Sequence, residues 1–326
     1  MGTTDIAILD RQPMEMSAVC VPTIIARLGK PAARRFIEYF TANIRNANTR
    51  AAYARAVGQF LRWCERHRLE LPQITPTAVA AYIEVLAAVR TAPTVKQHLA
   101  AVRMIFDWLV IGQVIPSNPA SSVRGPRYVV KRGKTPVLSA AEARQLLDSI
   151  STSTVVGLRD RALIAVMVYS FARVSAVVGM KVGDYYQLGR RFWLRLHEKG
   201  GKFHELPAHH NAEAYLDAYI TAAGTADERH GPLFRAAEGR AGRLTSHAMT
   251  RHDALRMIKR RCRPIGLPPT ICCHTFRATG ITAYLENGGT LEHAQAIAAH
   301  ESPRTTKLYD RTSDQITLDE IERIAI

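Results

Sequence analysis

Between Ser117 and Val137 the chain carries Pro119, Pro126 and Pro136, five basic residues (Arg124, Arg127, Lys131, Arg132, Lys134) and no acidic one. Such a run lacks both the periodicity of a buried element and the apolar content of a core, so it reads as a linker between two domains. With 326 residues in all, and about 150 residues a common domain size, each flank can bury a core of its own. The expected organisation is an N-terminal arm over 1–29, a helical domain over 30–116, the basic linker over 117–137 and a second domain over 138–326. The arm is inferred from poor periodicity and from Pro13, Pro22 and Pro31, which interrupt any helix.

Before the linker the apolar residues recur at helical spacing. Tyr53, Val57, Phe60, Leu61 and Cys64 form one stripe, with Arg50, Arg55, Arg62 and Arg66 on the surrounding surface. Thr75 followed by Pro76 predicts an N-cap with proline at the first helical position, opening a helix through Val79, Ile83 and Leu86. Thr94 to Gln97 has the form of a capping box leading into Leu99, Val102, Phe106 and Leu109.

After the linker the pattern is mixed. Ser139 to Glu142 is a second capping box, followed by Leu146, Leu147 and Ile150, and Leu158 to Tyr169 is a more apolar helix. Phe192, Leu194 and Leu196 alternate, Lys199 to Lys202 forms a turn, and Phe203 to Leu206 returns as a strand. Helices resume from Ala248, and Thr317 to Glu320 opens a short terminal helix carrying Leu318, Ile321, Ile324 and Ile326. The fold class expected is mainly α, with a small antiparallel β element in the second domain.

Lys and Arg number 44 against 28 Asp and Glu, a formal charge of +16. A long polyanion is the natural counterpart of that excess, because each phosphate contact releases condensed counterions. The longest apolar run, Ala162 to Ala172, is interrupted by Tyr169 and Ser170 and is too short to span a bilayer, so no membrane partner is expected. The first ten residues lack the pattern of a secretory signal. The five cysteines are odd in number and scattered, which suits a reduced cytoplasmic protein, here expected at the nucleoid.

Four local patterns could carry chemistry. Arg173 directly follows the apolar helix, where a charge needs a partner or a bound anion. Lys199 sits on a glycine turn, able to reach a phosphate or protonate a leaving oxygen, as well as being a simple exposed turn lysine. His274 and Arg277 share a helix face if this segment is a first turn. His300 precedes Tyr309, which stands next to the basic turn Arg304 to Lys307. Cys272 and Cys273 are adjacent, and with Cys262 ten residues earlier they do not match a structural zinc spacing.

In order and spacing these residues resemble the phage-integrase or tyrosine-recombinase family, which includes mobile-element integrases and the bacterial Xer-type enzymes. The resemblance extends to Asn48 to Tyr53 and to Thr94 to Trp108 followed by Asn118 and Pro119, which look like that family's SAM-like core-binding domain. It implies a site-specific recombinase that cleaves and rejoins strands through a 3'-phosphotyrosyl link. Arg173, Lys199, His274, Arg277, His300 and Tyr309 would be the catalytic set, with no cofactor and no metal. Arg50, Arg55, Lys96, Arg124, Arg127, Lys131, Arg132 and Lys134 would contact DNA. The partners implied are double-stranded DNA with a specific recombination site, three further copies in a homotetramer on synapsed DNA, and an accessory DNA-bending protein or second recombinase. The terminal helix would dock on a neighbouring protomer.

Three positions depart from that family's habit: Ala176 where an acidic residue often stands, Ala278 where histidine often follows the arginine, and Ala299 where glycine precedes the late histidine. The expected role is integration or excision of a mobile element. Alternatives are replicon dimer resolution by the same chemistry, a catalytically inactive DNA-binding accessory factor, and a type IB topoisomerase. Tyr284 and Ser302 are the rival nucleophiles.

Overall fold

The computed structural model describes residues 21–129, 133–198, 203–239 and 242–310. The chain divides into two compact units, Met1–Val129 and Val130–Ile326, and is mainly helical.

The first unit begins inside the stretch assigned to the arm. Helix α1 (Thr23–Ala26) is a single turn, yet its Ile24 and Ile25 are buried in the same core as Phe36 and Phe40 of the next segment. Two docking side chains make no periodicity, which is why the prolines dominated the reading of this stretch. Helix α2 (Lys30–Glu38) continues as a π turn, and α3 (Ala47–Arg66) opens on Asn46, whose side chain accepts from the Asn48 and Thr49 amides. Helix α4 (Pro76–Val89) starts as expected, with the Thr75 hydroxyl accepting from the Ala78 amide. Helix α5 (Ala92–Ile111) starts earlier than expected: Thr91 is its N-cap and Pro93 lies in the first turn, where a missing N–H is tolerated. Thr94 is therefore inside the helix. Phe60 meets Tyr82 and Phe106 edge to face at 5.1 and 5.8 Å, tying α3, α4 and α5 together.

Part of the expected linker belongs to this unit. Ala120 and Val123 are buried in its core, and the Arg103 guanidinium donates to the carbonyls of both residues. Saturating those carbonyls lets a proline-containing segment pack.

The second unit opens on α6 (Ala140–Ser149) with the expected box, Ser139 and Glu142 each bonding the other's backbone amide. Helix α7 (Val155–Tyr169) is its core: Ala162 to Met167 are all buried. After α8 (Val174–Val178), strands β1 (Tyr185–Leu188), β2 (Arg191–His197) and β3 (Phe203–Pro207) form an antiparallel sheet in that order. Leu194 pairs with Leu206, so the alternating residues face the core as their spacing predicts. Helix α9 (His210–Ala223) packs on α7. A hairpin of β4 (Arg235–Glu238) and β5 (Arg243–Ala248) follows; its charged, exposed strands have no alternating apolar pattern, and the sequence reading missed it.

Helices α10 (Arg251–Cys262), α11 (Cys273–Glu286), α12 (Leu291–Ile297) and α13 (Pro303–Lys307) complete the described chain. Asp160, fully buried on α7, accepts from Arg159 at 2.6 Å, from Arg261 at 2.8 Å and from Arg260 at 3.2 Å, so α10 is anchored by a compensated charge. Helix α11 crosses α7 at Gly280, where a Cβ would stand 2.1 Å from the Val168 carbonyl and 2.7 Å from the Phe171 ring. Only glycine allows that approach, and it sets the site described next. The expected terminal helix from Thr317, the turn carrying Lys199, and Lys131 and Arg132 lie outside the described residues. Among the described residues no helix is long and apolar enough to cross a membrane.

Candidate active site

Phe171 and Ala298 each offer a backbone carbonyl to one guanidinium. Arg277, in the first turn of α11 and 1% exposed, donates from Nη1 to the Phe171 carbonyl and from Nη2 to the Ala298 carbonyl at 2.6 Å. Phe171 is itself left-handed, with φ +52°, and Ala298 ends α12 just before the left-handed Ala299, with φ +48°. Its Nε is buried with no hydrogen-bond partner among the described residues. An unpaired buried donor costs about 1–3 kcal/mol. Burial and the charge of Arg173 push Arg277 down to about 10, so it remains a cation at neutral pH.

The other functional side chains surround it. Arg173 caps α8 and pairs through Nη1 with Glu198 Oε2 at 2.5 Å. His274, on the same first turn of α11 as Arg277, places Nε2 2.6 Å from the phenolic oxygen of Tyr309. Tyr309 follows α13 and is buried; its carbonyl accepts from the Thr282 hydroxyl at 2.8 Å, and its ring lies nearly parallel to that of His300, 5.8 Å away. His300 Nδ1 is 2.9 Å from the Thr306 hydroxyl, itself buried on α13. Beneath the site Tyr309 packs with Phe171, Ala278, Ile281, Ala294 and Ala298, so Ala278 serves as apolar floor.

Burial sets the protonation states. It pushes His274 below the usual imidazole range, helped by the Arg277 and Arg173 cations. The same causes, with His274 added, bring His300 down to about 3. Burial raises the Tyr309 phenol, and the two arginines pull it back. At neutral pH the cluster therefore holds a protonated phenol, a neutral imidazole in hydrogen-bonding contact with it, and two guanidinium groups. Such a set can remove a proton from a nucleophilic oxygen and neutralise a phosphoryl group.

Of the six catalytic residues expected from the sequence, the structure brings together Arg173, His274, Arg277, His300 and Tyr309; Lys199 lies outside the described residues. The rival nucleophile Tyr284 packs edge-on against Phe171, 6.0 Å away. Cys272 caps α11, and Cys273 is raised to about 11 by burial, the state of a protonated packing thiol. Among the described residues no cluster of three His, Cys, Asp or Glu side chains could hold a metal. Glu198 was missed: its signal was only its place beside Lys199. Among the expected DNA contacts, Arg55, Lys96, Arg124, Arg127 and Lys134 are exposed. Arg50 is half-buried, donating from Nε to the Ile44 carbonyl at 3.0 Å. Helix α10 adds exposed cations at Arg256 and Arg260, and Arg263 follows at its end; the sequence reading passed over all three.

This fold is that of tyrosine-type site-specific DNA recombinases. The chain belongs to the phage integrase family, which it matches over residues 136–315, with the family's N-terminal SAM-like domain over residues 33–114. It is 26% identical over 264 residues to tyrosine recombinase XerC of Myxococcus xanthus, covering 80% of this chain and 84% of that one. To XerC of Chlamydia muridarum it is 30% identical over 234 residues, 71% and 70% of the two chains. Among solved structures its fold is similar to XerH recombinase bound to difH substrate (TM-score 0.65, 17% identity, 95% and 90% covered). It is likewise similar to a lambda integrase tetramer bound to a Holliday junction (TM-score 0.64, 19% identity, 87% and 78% covered).

Proposed function

We propose that Tyr309 attacks a DNA phosphodiester, forming a 3'-phosphotyrosyl bond and expelling a 5'-hydroxyl. The observation that carries this reading is the contact between the Tyr309 phenol and the neutral His274 imidazole inside a pocket of two arginines. In the forward step the phenolic oxygen bonds to phosphorus, its proton passes to His274, and the phosphorus–5'-oxygen bond breaks. The departing oxygen takes a proton, for which Lys199 is the proposed donor. Arg173 and Arg277 stabilise the charge that builds on the non-bridging oxygens, and His300, neutral and fixed by Thr306, donates a further hydrogen bond. The phosphotyrosine retains the bond energy, so a 5'-hydroxyl from another strand reverses the step without a metal or ATP.

The DNA partner is proposed to be a duplex with a specific recombination site, contacted at phosphates by Arg55, Lys96, Arg124, Arg127, Lys134 and the exposed face of α10. Two paired strand exchanges call for four protomers, the number found in the lambda integrase complex on a Holliday junction. The biological role proposed is integration or excision of a mobile element. Resolution of replicon dimers by the same chemistry is the second reading.

The test is covalent capture. DNA crosslinked to the protein in cells is sequenced, and a nicked duplex carrying the recovered site is then cleaved in vitro in excess EDTA. The expected adduct maps by peptide mass spectrometry to Tyr309 and disappears with Tyr309→Phe while binding persists. An adduct on Tyr284 or Ser302, or none at all, would overturn the reading. The captured sequences decide the role: junctions of an element with its host support integration, and a single site per replicon supports dimer resolution.

A further inference from the structure

Arg173 is poorly held by its own helix. It is the N-cap of α8 with an extended backbone, its side chain is 36% exposed, and Ala176, one turn on and on the same face, offers no counter-charge. A guanidinium on a long stem has several rotamers, and one that must meet a phosphoryl oxygen needs a fixed one. A charge that stabilises the transition state is useful only when already aimed.

Glu198 supplies what α8 lacks. It follows the last residue of β2, its side chain is only 4% exposed, and its Oε2 lies 2.5 Å from Arg173 Nη1. A carboxylate so buried is costly unless paired, and Arg173 is its ion-pair partner. The other two guanidinium nitrogens of Arg173 make no hydrogen bond among the described residues, which leaves them for a ligand. The carboxylate also acts on Arg277, raising it against burial and the repulsion of Arg173. One buried negative charge thus offsets two cations that repel each other.

We propose that Glu198 is the positioning residue for Arg173: from the end of β2 it fixes the guanidinium that neutralises the scissile phosphate, a role no carboxylate on α8 can fill in this chain. This rests on the recombinase reading above. Glu198 also immediately precedes Lys199 in the sequence.

The test is single-turnover cleavage by the full-length chain of a nicked duplex carrying the site recovered from cells. Glu198→Gln keeps the shape and removes the charge. It is expected to slow cleavage on the order of tenfold to a hundredfold, with half-site affinity near wild type, as loss of a charge-assisted hydrogen bond predicts. In an Arg173→Lys background the same change should have little further effect, because the two act as one unit.

Cleavage by Glu198→Gln at or above the wild-type rate would overturn the role, since a residue that sequesters Arg173 gives faster cleavage when removed. So would an equal loss in the Arg173→Lys background. If the glutamine variant does not fold, Glu198→Asp carries the same cycle, and a loss seen only when Arg173 is present supports the role. Absence of any adduct from the wild-type chain overturns the recombinase reading itself, and is distinguished from failure of the Glu198 role by that control alone.

Discussion

Nε2 of His274 lies 2.6 Å from the phenolic oxygen of Tyr309, and the contact joins the first turn of α11 to the segment after α13. Because burial and two arginines keep His274 neutral at pH 7, it is a ready proton acceptor rather than a competing cation. His274→Ala should slow formation of the covalent adduct by about 10²–10⁴-fold, the usual span for a general base, with site-specific binding retained. Single-turnover quench assays check this; a change below about threefold would remove His274 from the chemistry.

The two site histidines make stability depend on pH in a defined direction. His300 has an ordinary value of 6.5 that falls to about 3 in the folded chain, so between those values the unfolded chain binds more protons than the folded one. The stabilisation is present above pH 6.5 and is lost as pH falls toward 3. The melting temperature of the wild type should drop between pH 7 and pH 5 by more than that of His300→Gln. Parallel pH slopes in calorimetry would contradict the neutral, buried assignment of His300.

Ala299 adopts φ +48°, in the left-handed region. An alanine there costs about 1–2 kcal/mol of backbone strain, and glycine returns part of that through its larger entropy loss on folding. Ala299→Gly should therefore stabilise the second unit by about 0.5–1 kcal/mol, about 1–4 °C in melting temperature. The Ala298 carbonyl that holds Arg277 should stay in place, leaving the cleavage rate near wild type. A lower melting temperature would show that the turn is not strained.

At Gly280 the opposite outcome is expected. A Cβ there would overlap the Val168 carbonyl and the Phe171 ring, so Gly280→Ala must push α11 away from α7. Overpacking of this kind costs about 1–3 kcal/mol. Since Arg277 reaches the Phe171 carbonyl across the same crossing, cleavage should fall along with stability. Denaturant melts and adduct yield measured together check the coupling; a destabilised variant with full activity would separate the crossing from the site.

Much of the fold was legible because its signals are local. The Thr75 cap, the Ser139 and Glu142 box and the Leu194 and Leu196 alternation each involve residues a few positions apart, and the structure contains all three. The start of α5 was misplaced by a few residues because two threonines near Pro93 compete for the cap. The β4–β5 hairpin and the docking of Ile24 and Ile25 were missed because neither has a repeating pattern along the chain.

The amino-acid sequence by itself determined the helical class and, through motif order and family resemblance, singled out Arg173, His274, Arg277, His300 and Tyr309 as candidates. Each of those depends on residue type and spacing along one dimension. Only the tertiary structure decided which charges and protons meet: His274 contacts a tyrosine 35 residues away, and Arg173 takes its carboxylate from Glu198, 25 residues on. Hydrogen bonds and ion pairs depend on distances of a few ångströms, and chain separation says nothing about these until helices and strands pack. Burial likewise exists only in the packed molecule, and it is burial that makes His300 neutral and brings Arg277 down to about 10.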